Sequence, residues 1–163
     1  MHELRRKDKE IQDQKVMRAL LAKAKYVTLA MARGDEPYLV TLSHGYDVKE
    51  NCLFFHCAGE GKKMEFWRSN PVVWGQTVRD DGYVQGSCDH LFASVMFRGR
   101  VSFPKEFKTK RRALEIMIHQ LEEDPTEVLT TQMERRSIER VTIGRVDIDF
   151  MSGKRAKKVL VSK

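Results

Sequence analysis

Tyr26 to Ala32 and Tyr38 to Ser43 are β-forming runs separated only by the turn-like cluster Arg33-Gly34-Asp35-Glu36-Pro37. A link this short joins antiparallel neighbours, because a parallel crossover needs about a dozen residues or more. The pattern repeats downstream. His44-Gly45-Tyr46-Asp47 continues the second run, Lys49-Glu50-Asn51 reverses the chain, and Leu53 to Ala58 returns antiparallel. Strands joined so directly exclude a doubly wound parallel sheet.

The other segments fit the same frame. Asp13 to Lys25 reads as a helix, with Val16, Met17, Leu20, Leu21 and Ala24 at helical spacing and Asp13 as N-cap. Residues 1–12 form a charged arm. Gly61 to Asn70 reads as a short helix stopped by Pro71, since the residue before proline disfavours helix. Val72 to Val78 is a strand, and Asp80-Asp81-Gly82 and Tyr83 to His90 are loops. Leu91 to Phe103 alternates as a half-buried strand. A helix is expected from Lys105 to Glu123 with Phe107, Leu114, Ile118 and Leu121 in the core, then a short one from Thr126 to Gln132. Val141 to Phe150 closes the chain as a strand, and residues 151–163 are a basic tail. The expected fold is mainly β with peripheral α-helices, a six-stranded antiparallel β-barrel in one domain covering 1–163.

One stretch carries chemistry. Leu53 to Ala58 runs into Gly59-Glu60-Gly61-Lys62-Lys63 at the start of the short helix. Glycines allow close backbone approach, free N–H groups at a helix start favour anions, and two ammonium groups add charge. The segment reads either as a phosphate site or as a solvated turn with two exposed lysines. It is not a Walker loop, because no glycine stands five residues before Gly61 and Lys63 replaces the Ser or Thr. The dinucleotide fingerprint is also excluded, for want of a third glycine.

Composition narrows the partners. The net charge of +7 is spread over the chain and accompanied by no nucleic-acid motif, so it predicts anionic ligands rather than a specific nucleic acid. No apolar run approaches the ~20 residues of a membrane-spanning helix, and the charged N-terminus lacks a secretory core; the chain is read as cytoplasmic. Cys52, Cys57 and Cys88 form neither a disulfide framework nor a zinc pattern. They are expected as reduced thiols, with Cys88 buried, and no metal site is expected. Trp67 and Trp74 are read as core or interface residues.

Pro37-Tyr38-Leu39-Val40-Thr41-Leu42-Ser43-His44-Gly45-Tyr46-Asp47, Phe55-His56-Cys57-Ala58 with Glu60-Gly61-Lys62-Lys63, Asn70-Pro71, and Cys88 with Ser94-Val95 and Gly99-Arg100-Val101 occur in an order and spacing that resemble the pyridoxamine 5′-phosphate oxidase-like flavoproteins. Within them the chain looks most like the nitroimidazole-resistance (Nim) branch. The resemblance implies a Greek-key split β-barrel that forms a homodimer with one FMN in each of two interface clefts. It implies that Val40, Thr41, Leu42 and Ser43 line the isoalloxazine, partly through backbone groups. His56 and Cys57 would stand where the oxidase has an aromatic–threonine pair. Lys62 and Lys63 would hold the FMN phosphate, and Ser94 would approach the cofactor from the other subunit.

Departures from the oxidase matter. Apolar Val40 replaces a basic residue that contacts FMN, and the C-terminal substrate-binding pattern is missing, so pyridoxamine phosphate oxidation is not expected. The resemblance instead implies an FMN-dependent oxidoreductase taking electrons from a reduced nicotinamide nucleotide to a small acceptor, a nitroaromatic being one. His56 beside the flavin would donate a proton or orient the substrate, or would only pack on the cofactor. His44, His90 and His119 are read as structural. A non-catalytic flavin carrier or sensor and a haem-binding barrel are the alternatives.

Overall fold

The computed structural model describes residues 4–157 and 159–161. A 3-10 turn, Lys7–Lys9, leads into β1 (Glu10–Ile11), then α1 (Gln14–Lys23), β2 (Tyr26–Arg33), β3 (Glu36–Ser43), β4 (Gly45–Asp47) and β5 (Cys52–Cys57). Next come α2 (Lys62–Ser69), β6 (Val72–Val84), β7 (Asp89–Ser102), α3 (Phe107–Leu121), α4 (Thr126–Thr131), α5 (Arg135–Arg140) and β8 (Thr142–Arg155).

All described strand pairs are antiparallel, in the order β3-β2-β6-β7-β8-β5-β4, with β1 added on β8. The two ends of this order are β3 and β4, which only His44 separates in the chain. The sheet therefore closes through one bent strand whose halves pair on opposite sides. Counting β3 and β4 as that one strand, and setting β1 aside, gives the expected six.

Alternation fills the barrel. Val27, Leu29 and Met31 of β2, Val73 of β6, Val95 and Phe97 of β7 and Val146 of β8 point inward and are buried. Helix α1 starts at Asp13, whose Oδ1 accepts the Lys15 N–H at 2.8 Å, and buries Val16, Met17, Leu20 and Leu21 on the same core. A smaller core of Cys52, Phe54, Ala113, Met117 and Ile143 lies outside the barrel, under α3. Trp67 belongs to the main core, while Trp74 stays 38% exposed on the sheet's outward face.

Several expectations need correction. Residues 80–90 are not an open loop: β6 and β7 continue as a hairpin, with a register shift between Asp80 and Tyr83 and Gly82 at φ +96°. Pairing there extends into solvent, where no burial alternation reveals it. Met151 to Arg155 is not tail but strand, paired with β7 on one side and partly with β1 on the other. The arm, too, is docked through β1. Helix α3 buries Ala113 and Met117, while Phe107, Leu114, Ile118 and Leu121 are only half-buried. Small Ala113 lets the helix lie close to the sheet, a preference that side-chain size conceals. Cys88 is exposed in a turn at φ +47° rather than buried. Helix α5 had no counterpart in the sequence reading. Among the described residues, no helix is long and apolar enough to cross a membrane.

Candidate functional site

The closing strand leaves a split. Among the described residues β4 pairs only with Cys52, Leu53 and Phe54, so beyond Phe54 the matching edge of β5 has no described strand beside it. Among the described strands β3 pairs only with β2, and none lies along its other edge. From the joint at His44 the two strands diverge. Val40 to Ser43 lie on one margin, His56 and Cys57 on the other.

Helix α2 plugs this opening. Its Phe66 ring lies 5.2 Å from that of Tyr38 on β3, and Trp67 lies 5.2 Å from Phe55 on β5. Met64 Sδ is 3.9 Å from Cys57 Sγ. The helix begins at Gly61, at φ +106°, with no side-chain cap. Its first amide N–H groups thus keep their capacity to bind an anion. Arg68 donates to the Gly59 carbonyl at 3.2 Å and ties down the preceding loop.

The margins present different groups. Val40 and Leu42 turn their side chains onto the core, so they offer a ligand mainly backbone. Thr41 and Ser43 alternate to the outward face, where the Thr41 hydroxyl lies 3.0 Å from that of Thr28. Cys57 faces the core and His56 is exposed on the opposite side of β5. Burial pushes the Cys57 thiol up, against a smaller opposing pull from Lys63, so it is not primed as a thiolate.

Lys62 and Lys63 both stand at the start of α2, but the structure engages Lys62. Its Nζ is 2.9 Å from Glu36 Oε1 and lies over the Tyr38 ring at 4.9 Å and the Phe66 ring at 5.6 Å. Arg33 bonds the other oxygen of Glu36 at 3.2 Å, bonds Glu65 at 3.2 Å, and stacks on Phe66 at 4.9 Å. Glu36, Arg33 and Tyr38 had no assigned role in the sequence reading. Arg33 and Glu36 sat in what read as a turn, and only their cross-strand pairing brings them to α2.

Ser94 is not brought to the split. It lies on β7, with β6 and β2 between it and β3. Register puts it on the outward face with Met96 and Arg98 of β7 and Trp74, Gln76 and Val78 of β6, two residues apart along each strand. A groove of about 730 Å³ opens beside this face, between Leu4, Gln12, Trp74, Phe150 and Ser152, and contains no residue of the split. His44 is fully buried and His90 bonds Asp80 on the distal hairpin at 2.8 Å. His119 is exposed on α3. Asp47, Glu50 and Cys52 also converge, yet Arg112 and Arg145 occupy the carboxylates, and burial pushes the Cys52 thiol up to about 12. That cluster is an ion-pair network at the barrel wall.

The sequence signature described as pyridoxamine 5′-phosphate oxidase matches residues 13–155, from the cap of α1 to the last residue of β8. The chain belongs to that family. Solved structures agree on the fold. A Bacteroides thetaiotaomicron protein assigned provisionally to 5-nitroimidazole antibiotic resistance is 24% identical, with a TM-score of 0.77 over 89% of this chain and 85% of its own. The flavocytochrome Anf3 of Azotobacter vinelandii is 16% identical, with a TM-score of 0.80 over 99% and 76%. A FAD-binding protein of Mesorhizobium loti is 22% identical, with a TM-score of 0.64 over 90% and 96%. At these identities the likeness is one of fold. No curated protein matches the chain by sequence.

Proposed function

We propose that this member of the pyridoxamine 5′-phosphate oxidase family is an FMN-dependent oxidoreductase of the nitroimidazole-resistance type. It passes electrons from a reduced nicotinamide nucleotide to a small acceptor, with nitroaromatics as the first class to test. The observation that carries the reading is the uncapped start of α2, with Lys62 and Lys63, seated at the split between β3 and β5. A phosphate monoester needs compact, convergent positive charge, which amide N–H groups and ammonium groups supply. The free edge of β3 at Val40 to Ser43 suits the polar rim of a flavin ring, which hydrogen-bonds to backbone.

In this reading the flavin supplies the redox chemistry when bound. The chain's own residues do the rest. Lys62 and Lys63 hold the phosphate, Val40 to Ser43 orient the ring, and Cys57 with Met64 forms the inner wall. His56, exposed at the margin, moves a proton to or from the acceptor.

The active form is a homodimer with a cleft at the subunit interface. Leu39, Trp74, Val78 and Met96 are 63%, 38%, 53% and 45% exposed. Alternation turns them to one side of the sheet, and a patch of this kind marks an interface. Ser94 shares that face and would reach the cleft of the partner.

The assay is NADH oxidation by the FMN-loaded protein with and without a nitroimidazole. Turnover that depends on the acceptor is expected; no turnover with any donor leaves a flavin carrier or sensor. Haem binding is the second reading, favoured by the fold shared with a flavocytochrome and with a FAD- and haem-binding protein of Mycobacterium smegmatis. A visible spectrum separates them: paired flavin bands are expected, and a Soret band would assign His56 as an iron ligand candidate.

A further inference from the structure

We propose that Glu36 is a built-in competitor for the phosphate seat at Lys62, selectively restraining affinity for phosphorylated flavin while leaving unphosphorylated flavin untouched. This rests on the reading of Lys62 as a phosphate-holding residue.

The structure already holds an anion at this place. The Glu36 carboxylate spans two cations, with Oε1 at 2.9 Å from Lys62 and Oε2 at 3.2 Å from Arg33. The rings of Tyr38 and Phe66 lie beneath the Lys62 ammonium. The Lys62 side chain is about half exposed, so an incoming phosphate can reach the ammonium, and it and Glu36 then draw on the same charge.

Backbone structure keeps the competitor in place. Glu36 opens β3 and pairs directly with Arg33, the last residue of β2, across the tight turn at Gly34. Arg33 is held in turn by Glu65 on the first turn of α2 and by the face of Phe66. Glu36 thus reaches α2 from the strand that forms one margin of the split. Lys62 and then Arg33 hold the Glu36 carboxyl below its ordinary range, so it stays ionised throughout neutral pH.

The competition is modest. Lys62 and Glu36 are about half exposed, and exposed pairs are weak and screened by salt. A phosphate monoester carries up to two charges against one, and the helix amides favour it further. Phosphate therefore displaces Glu36, at a cost in affinity that riboflavin, which has no phosphate, does not bear.

The test is titration of the apoprotein with FMN and with riboflavin, in the unmodified chain and in Glu36→Gln, Asp35→Asn, Lys62→Ala and Glu36→Gln/Lys62→Ala. Asp35→Asn makes the same charge change one residue away, at a carboxylate with no ion pair to Lys62 among the described residues, and so measures the general electrostatic effect. Glu36→Gln is expected to tighten FMN about 2- to 5-fold beyond that control, with riboflavin unchanged. The gain is expected to vanish in the Lys62→Ala background, as a double-mutant cycle requires. If Lys62→Ala weakens FMN but Glu36→Gln does no more than Asp35→Asn, Glu36 is not a competitor and the phosphate assignment stands. If Lys62→Ala leaves FMN affinity unchanged, the phosphate assignment falls and Glu36 with it.

Discussion

Ser43 pairs with Tyr26 at one end of the sheet, and Gly45, two residues on, pairs with Phe54 at the other. His44 between them is the joint of the barrel. Helix α3 presses straight onto it: a Cβ added at Gly45 would lie 2.7 Å from the Met117 backbone. Gln120 completes the lock, donating to the Leu21 and Ala24 carbonyls at 3.1 and 2.7 Å and accepting the Tyr46 N–H at 2.8 Å. The Tyr46 N–H just past the bend and the last carbonyls of α1 have no described sheet or helix partner there, and a side chain from α3 satisfies them instead.

Gln120→Leu should therefore cost about 2–4 kcal/mol, since it strips partners from backbone groups on both α1 and the closing strand. Chemical denaturation measures it. A loss under about 1 kcal/mol would mean that water replaces the glutamine.

His44 makes stability depend on pH. Its Nε2 lies 3.1 Å from the Leu21 carbonyl and 3.2 Å from the Gln120 amide nitrogen, and Nδ1 is buried without a partner among the described residues. Burial lowers the folded pKa below 6.5, against a smaller raising effect of the Leu21 bond. The unfolded chain then binds the proton more readily, so the contribution is full above pH ~6.5 and shrinks as pH falls toward the folded pKa, by up to about 1.4 kcal/mol per pH unit. Melting temperatures from about pH 8 to 5 should decline accordingly, and His44→Gln should flatten the curve. An equal slope in the variant would assign the loss to other groups.

Lys62→Ala should weaken FMN roughly 10- to 150-fold, from ~1.5–3 kcal/mol for a charge-assisted contact. Fluorescence titration reads this directly. Riboflavin affinity should not change.

Gly144→Ala probes the plug from behind. Gly144 stands opposite Phe55, whose ring lies over it so closely that a methyl group would overlap the ring. Phe55 would be forced toward Trp67, loosening α2. The expected cost is ~1–3 kcal/mol, from calorimetry; a neutral outcome would show that the ring can move aside freely.

His56→Ala should leave stability within about 0.5 kcal/mol, because the side chain is exposed. Turnover of the FMN-loaded protein should drop ~100-fold or more if the imidazole moves a proton in the rate-limiting step. Unchanged turnover with unchanged FMN affinity would reduce His56 to a surface residue.

Much of the strand pattern was legible because alternation and short links are local. Val27, Leu29 and Met31 announce an inward face, and the cluster at Gly34 announces a hairpin. The β6–β7 hairpin beyond Asp80 was hidden because both its faces meet water, so its residues follow backbone pairing alone. At the candidate site, glycine and lysine spacing marked α2, while the network around Glu36 did not show. Nothing in Arg33-Gly34-Asp35-Glu36-Pro37 says which helix its charged ends will meet.

By itself, then, the order of residues determined an antiparallel sheet, the Asp13 cap of α1 and a basic helix start, since each depends on neighbours within a few positions. Tertiary structure alone decided that β3 and β4 bend apart at His44, that α2 fills the resulting gap, and that Lys62 shares its charge with Glu36. Those outcomes depend on pairings such as Phe54 with Arg145, between residues far apart in the chain. Such a pairing is selected by the burial of the whole core, which no short segment encodes.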